Sequence, residues 1–284
     1  MSAIAKLAGF AVALVLIFAG AAFAGSLIDV HPGKETAADD ERGDGMKAMG
    51  AASEGEADPV RGLAVSDKGL TLKLARNTAA PGERAELGFR IVDRRGHTVR
   101  DFDVEHTKRM HFIVVRRDMT GFQHLHPTQH ADGSWSVPVT LRDAGSYRVF
   151  ADFSVDGRAH TLADDLLVDG TVRSRALPAP ASSANVDGMK VTLTEGPSKA
   201  GAESGLGFTV TRNGKPVAIE DYLGAKGHLV ALRQGDLAYL HVHPDENNLK
   251  FMAEFPTAGT YRLFLQFQVD GRVHTAEFTQ EVAR

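Results

Sequence analysis

Residues 110–127 read MHFIVVRRDMTGFQHLHP and residues 227–244 read GHLVALRQGDLAYLHVHP, so His111 precedes His124 by the same thirteen residues that separate His228 from His241. Each copy closes on His-x-His-Pro, with His126 and His243 as the second histidines. Further along, GSYRVFADFSVDGRAHT (145–161) is answered by GTYRLFLQFQVDGRVHT (259–275), which adds His160 and His274 to the matched set. Eight of the twelve histidines thus hold equivalent places in two copies of one unit. Self-similarity over this length marks a tandem repeat.

Outward from that stretch, the first copy shows short runs of alternating polarity separated by turn residues. These are GLTLKLA (69–75), RAELGFRIVD (84–93), the pair MHFIVVRR and FQHLHP, SWSVPVTL (134–141), YRVFADFSV (147–155) and AHTLADDLLV (159–168). About seven strands in roughly 110 residues predict an antiparallel sandwich. Gly145-x-Tyr147 and Gly259-x-Tyr261 each open a strong strand, as the tyrosine of Greek-key sandwiches does when its hydroxyl ties back to upstream backbone. The expected fold is all-β: two tandem immunoglobulin-like Greek-key β-sandwiches at 62–171 and 186–284. The Pro/Ala/Ser-rich VRSRALPAPASSAN (172–185) is the linker between them. That topology sets the final strand, the Tyr strand, the MHF strand and the HLH strand side by side.

The chain's 284 residues suffice for two such domains, and a net charge of -4 with no basic stripe among aromatics gives no footprint for nucleic acid. Cysteine is absent, which removes disulfides, thiolate zinc sites and Cys nucleophiles. From Leu7 to Ile28 the chain runs 22 residues without a charge, long enough to cross a bilayer. It reads as a signal-anchor or as a signal peptide cleaved after Ala22-Phe23-Ala24, with Lys6 on the cytoplasmic side. The expectation is a single-pass protein of the cell membrane with extracytoplasmic domains, the alternative being secretion. Residues 29–61, rich in Gly, Ala, Asp and Glu, read as a disordered stalk.

For the histidines, a hairpin turn at Asp118–Gly121 places Val115 opposite His124 and Ile113 opposite His126. His111 then shares their side of the sheet as a diagonal neighbour of His126. His160 opens the final strand at the same end, about 10 Å from His111, as a fourth member of the group. The second copy gives the same picture with His228, His241 and His243, and with His274 at the edge. Neutral imidazole suits copper(II) or zinc, and three on a rigid strand pair leave a position open. Read structurally instead, each histidine packs on an aromatic ring and bonds a loop carbonyl. Ile113 and Val115, like Val230 and Leu232, share the histidine face, and apolar groups in such a patch seldom stay bare. The two repeats, or two subunits, are therefore expected to meet there. Met110, one residue off the face, reads as core. Trp135 and Tyr239 read as packing residues, and Arg116, Arg117 and Arg233 as solvated strand ends. Asp156 and Asp270 belong to hairpin turns. Nucleophile elbows, phosphate loops and zinc-protease motifs are missing, so no enzyme is expected.

The runs DFDVEHTKRMHFIVVRRDMTGFQHLHP (101–127), DGSWSVPVTL (132–141), AGSYRVFADF (144–153), DYLGAKGHLVALRQGDLAYLHVHP (221–244) and AGTYRLFLQFQ (258–268) resemble a bacterial family of membrane-anchored or secreted two-repeat proteins, usually labelled secreted or heavy-metal-binding. The resemblance covers residues 60–282 and implies export, a sandwich fold and, by label alone, metal. A single repeat resembles more loosely the small immunoglobulin-like copper carriers of the bacterial envelope, without their Met-rich ligand loop. The leading expectation is a non-enzymatic envelope protein that binds divalent metal through a three-His patch in each repeat. The alternative is a structural or adhesive module that binds another envelope protein. A three-His metalloenzyme is the third reading.

Overall fold

The structure, a computed structural model, describes residues 60–284 apart from Glu83, Gly196, Pro197, His241, Asp245, Glu246 and the side chains of His243 and Pro244. The apolar run 7–28 and the stalk up to residue 59 lie outside the described residues, among which no helix is long and apolar enough to cross a membrane.

Repeat 1 contains β1 (Ser66–Asp67), β2 (Leu70–Leu74), β3 (Thr78–Ala79), β4 (Arg84–Val92), β5 (His111–Arg116), β6 (Gln123–Leu125), β7 (Thr128–Gln129), β8 (Trp135–Thr140), β9 (Gly145–Val155) and β10 (Arg158–Val168). They form two sheets, β1-β2-β4-β8-β7 and β3-β10-β9-β5-β6, with β3 parallel to β10. This is the immunoglobulin arrangement, in which the first, second, fourth and fifth strands face the third, sixth and seventh. Repeat 2 contains β11 (Ser183–Val186), β12 (Met189–Leu193), β13 (Glu203–Arg212), β14 (Lys215–Pro216), β15 (Gly227–Arg233), β16 (Tyr239–Leu240), β17 (Val242–Pro244), β18 (Lys250–Glu254), β19 (Gly259–Val269) and β20 (Arg272–Val282). Its sheets are β11-β12-β13-β18-β17 and β16-β15-β19-β20, so the repeats share one plan.

Alternation builds each core. Leu87, Phe89 and Ile91 of β4 point inward against Phe112 and Val114 of β5 and Val149 and Ala151 of β9; Leu206, Phe208, Leu229, Ala231, Leu263 and Leu265 repeat the scheme. The Tyr147 hydroxyl donates to the Asp143 carbonyl at 2.9 Å and Tyr261 to the Thr257 carbonyl at 3.0 Å, the expected tyrosine corners. Asp156-Gly157 and Asp270-Gly271 turn their hairpins with positive φ at both residues, as a type I′ turn requires. Met110 and Trp135 are core residues. In repeat 2 the place of Met110 falls to Gly227, where a Cβ would come within 2.6 Å of the Leu249 side chain.

Strands β5 and β15 are buried on both faces because their outer faces meet each other. Ile113, Val115 and Phe150 of repeat 1 pack with Val230, Leu232, Tyr239 and Phe264 of repeat 2 in one cluster, as the shared apolar face predicts. The Phe122 ring stacks on Phe264 with centroids 4.0 Å apart, and Phe150 lies 5.5 Å from Tyr239. The chain enters along this seam: Tyr239 N–H donates to the Arg61 carbonyl at 3.0 Å and Gly62 N–H to the Thr161 carbonyl at 3.2 Å. Gly62 has φ +70°, and a Cβ on it would stand 2.7 Å from Tyr239 Cβ, so the close approach needs glycine.

Two readings change. The segment after β10 is tied down at both ends, by Arg175 N–H to Asp118 at 2.9 Å and Ala181 N–H to the Thr279 carbonyl at 3.2 Å, and its last residues already form β11. Arg116 is 3% exposed and not a solvated strand end; it pairs with Asp118 and donates to the carbonyls of Ala144 and Arg173.

Candidate functional site

The β5–β6 ladder sets the histidines in place. Ile113 pairs with His124 and Phe112 with Leu125, so the hairpin register is two residues away from the expected one. Arg116 N–H donates to the Thr120 carbonyl at 2.9 Å, and Met119 and Gly121 adopt positive φ, which makes the connection longer than a tight turn. A shift of two preserves the pleat, so His111, His124 and His126 still share one face. Their ring centroids lie 5.2 Å (His111–His124), 5.1 Å (His111–His126) and 4.9 Å (His124–His126) apart, and one nitrogen from each falls within 4.8 Å of the others.

The outer hydrogen bonds decide which nitrogens face inward. His124 Nδ1–H donates to Gln266 Oε1 at 2.8 Å across the seam, which leaves Nε2 a bare acceptor. His111 Nε2 lies 3.3 Å from the Glu105 carbonyl, and a proton held there leaves Nδ1 bare, whereas a proton on Nδ1 is donated to His124 Nε2. His111 Nδ1 and His124 Nε2 face each other at 3.0 Å. Two lone pairs at that distance repel unless a proton or a metal cation lies between them. His126 Nε2 is buried beside them with no hydrogen-bond partner among the described residues. Outer N–H groups held by carbonyl or amide oxygens are the usual support of metal-bound imidazoles.

The imidazoles are held neutral. Burial lowers the pKa of His124 well below 6.5, with His111 and His126 adding to the effect. His126 falls to about 3 through burial, then through His111 and Lys108. His111 is lowered by burial, which outweighs the opposing pull of Asp152, its partner on β9. Nitrogen lone pairs are therefore available at neutral pH.

His228, on β15, reaches the same cluster from repeat 2, with its ring 6.3 Å from His111 and 6.1 Å from His124. Its Nε2–H donates to the Tyr222 carbonyl at 3.0 Å, and burial lowers its pKa to about 4. The backbone pairing around the second motif differs from that around the first. β16 pairs with β15 only at Tyr239 and Leu240, after which Val242–Pro244 pair with β18 in the other sheet. His241 and the side chain of His243 lie outside the described residues. Among the described residues, His228 lies with His111, His124 and His106 at the seam.

His160 and His274 do not join it. Asp152 pairs with His111 and with Thr161, so His160, opposite Phe153, points to the other side of the sheet, where it stacks on that ring at 5.4 Å. By the same parity His274, opposite Phe267, turns away from His228; its Nδ1 meets Asp187 Oδ2 at 2.7 Å and its Nε2 the Val269 carbonyl at 3.3 Å. Equal sequence distance from the core strands does not fix the side, whereas register does.

One member escaped the repeat criterion. His106 stands 5.3 Å from His228 and 6.2 Å from His111, on a turn closed by the Glu105–Lys108 bridge. Repeat 2 has Leu223 at that place in the matching Tyr222–Ala225 turn, so only the local excess of histidine, EHTKRMH, marks it. Thr107 beside it has φ +67°, a strained conformation for a β-branched residue.

A family described as a domain of unknown function, DUF8832, matches the chain twice, at residues 64–170 and 184–284, and the chain belongs to that family. No curated protein matches it in sequence. Among solved structures, the Escherichia coli adhesin FdeC is 16% identical over 76% of this chain, with TM-score 0.27, and InvD of Yersinia pseudotuberculosis is 12% identical over 75%, with TM-score 0.25. The chain spans 64% and 57% of those two proteins. Scores this low say nothing of what the chain binds, and its immunoglobulin-like fold rests on the strand order given above.

Proposed function

We propose that this two-repeat member of the DUF8832 family is a non-enzymatic envelope protein that binds one divalent metal ion, copper(II) or zinc, through His111, His124 and His126. The observation that carries the reading is the convergence of one nitrogen from each of the three imidazoles, with His111 Nδ1 and His124 Nε2 3.0 Å apart beside the unpartnered His126 Nε2. With metal–nitrogen bonds of about 2.0 Å, tetrahedral imidazoles have ring centres about 5 Å apart, which is the spacing of all three pairs here. The all-nitrogen donor set suits zinc and copper(II) over the thioether-bound cuprous ion. Export to the envelope rests on the apolar run 7–28. A second reading, a structural or adhesive module with structural histidines, is supported by the His124–Gln266 bond, which ties the repeats together without any ion.

Metal analysis and calorimetry on the full chain, purified without a histidine tag, separate the two. The metal reading expects one equivalent of zinc or copper(II), lost in the His124→Gln/His126→Gln variant. It also expects a stability gain of about 2.7 kcal/mol at a hundred times the dissociation constant. No saturable binding tighter than about 100 μM at pH 7.5 leaves the structural reading in place.

A further inference from the structure

We propose that the ion at this site is also a clasp between the repeats: His228 of repeat 2 supplies a fourth nitrogen to the three from repeat 1. The inference rests on the metal reading above and adds to it a ligand from the other repeat.

Three features support the assignment. First, His228 is prepared as His111 is. Each sets Nε2 against the first carbonyl of an equivalent turn, His111 against Glu105 at 3.3 Å and His228 against Tyr222 at 3.0 Å, so with the proton on Nε2 each presents Nδ1 as its lone-pair nitrogen. Second, its ring stands 6.1 and 6.3 Å from those of His124 and His111, only about 1 Å beyond the spacing that a shared tetrahedral ion imposes. His111, His124 and His228 line one cavity together with Glu105, His106 and Asp152, and because among the described residues only the nitrogens of His111, His124 and His126 all lie within 4.8 Å of one another, His228 has to move toward them to share the ion. Third, the trio already spans the seam through its supports, since Gln266, which fixes the tautomer of His124, is on β19 of repeat 2. His106 is the competing donor: it is exposed, sits on the strained turn, and comes from the same repeat as the trio.

Binding energy from such an ion is divided between the repeats, so metal loading stiffens the seam as well as filling a site. Calorimetry and zinc X-ray absorption on the full chain test this, comparing the wild type with His228→Gln and His106→Gln, and with the exposed His97→Gln as control. The expected result is four imidazole nitrogens in the wild type, in His106→Gln and in His97→Gln, against three in His228→Gln. The zinc dissociation constant of His228→Gln should rise about tenfold or more. Hydrogen exchange on the wild type needs no variant to fold: zinc should slow the amides of 227–233 in repeat 2 along with those of 111–116 in repeat 1. Four nitrogens and an affinity within about twofold of wild type in His228→Gln, or protection confined to repeat 1, would overturn the clasp while leaving the metal site standing. Absence of zinc binding by the wild type would remove both.

Discussion

Phe264 is the residue whose loss should show whether the two sandwiches behave as one body. Its ring has no exposed surface, belongs to the cluster built from both repeats, and stacks on Phe122 at 4.0 Å with planes 6° apart. Truncation to alanine removes about 150 Å² or more of buried apolar area, worth about 4 kcal/mol at 25 cal/mol per Å². Large-to-small aromatic substitutions in cores cost about 3–5 kcal/mol, the same range. A double-mutant cycle with Phe122→Ala should return about 0.5–1.5 kcal/mol of that as the stacked pair itself. The chain supplies its own reporter, because the single tryptophan, Trp135, lies in the core of repeat 1 while the lesion is in repeat 2. In guanidinium titrations the Trp135 fluorescence midpoint of Phe264→Ala should fall by about 1 M, together with the circular dichroism of the whole fold. A fluorescence midpoint that stays put while dichroism splits into two transitions would refute the coupling and with it the seam as a stabilising contact.

Other expectations concern single groups. The metal-free protein should lose stability as pH drops below 6.5. His228 has a folded pKa of about 4 because burial opposes its charge, so above 6.5 neither state is protonated, and below it the unfolded chain binds the proton first. His228 alone contributes a loss of about 1.4 kcal/mol between pH 7.5 and 5.5 that continues towards pH 4, and His124 and His126, which burial lowers as well, add losses of the same sign, all to be read from urea midpoints at those two pH values. Arg116→Met should cost about 3 kcal/mol in chemical denaturation. The guanidinium bond offsets the burial that pushes Asp118 up and holds that carboxyl well below its usual range, and the Ala144 and Arg173 carbonyls lose their donor with it. Tyr147→Phe should cost about 1 kcal/mol in thermal unfolding through the bond to the Asp143 carbonyl.

Much of the fold is legible in the sequence because strand alternation is local: Leu87, Phe89 and Ile91 announce their side of β4 without knowledge of any partner. The meeting of the repeats is legible for the same reason, since Ile113 and Val115 are apolar on a face that the core does not use. What escaped depends on register or on loops. The β5–β6 connection closes by a backbone bond from Arg116 to Thr120 that no turn dipeptide signals, and the pairing moved by two. The side taken by His160 follows from its pairing with Phe153, a fact of neighbouring strands that its own strand does not carry. Val242 pairs with β18 where its counterpart Leu125 pairs with β5, a difference in strand pairing that the faithfully repeated motif does not show. His106 escaped because repetition was the filter and Leu223 stands in its place.

The contacts across the seam come in matched pairs. Phe122 on Phe264 has its counterpart in Tyr239 on Phe150, with the roles of the repeats exchanged, and His111 faces its own equivalent, His228. This is the geometry of an isologous dimer, in which the same patch on both subunits is self-complementary, written into a single polypeptide about an approximate twofold axis that passes between His111 and His228. A surface that fits a copy of itself does so whether or not the copies are fused. Fusion makes the association independent of concentration and lets the halves differ, as they do where one copy has Met110 and His106 and the other Gly227 and Leu223. The trio His111, His124 and His126 sits to one side of that axis, so the two halves face the same seam with unequal chemistry.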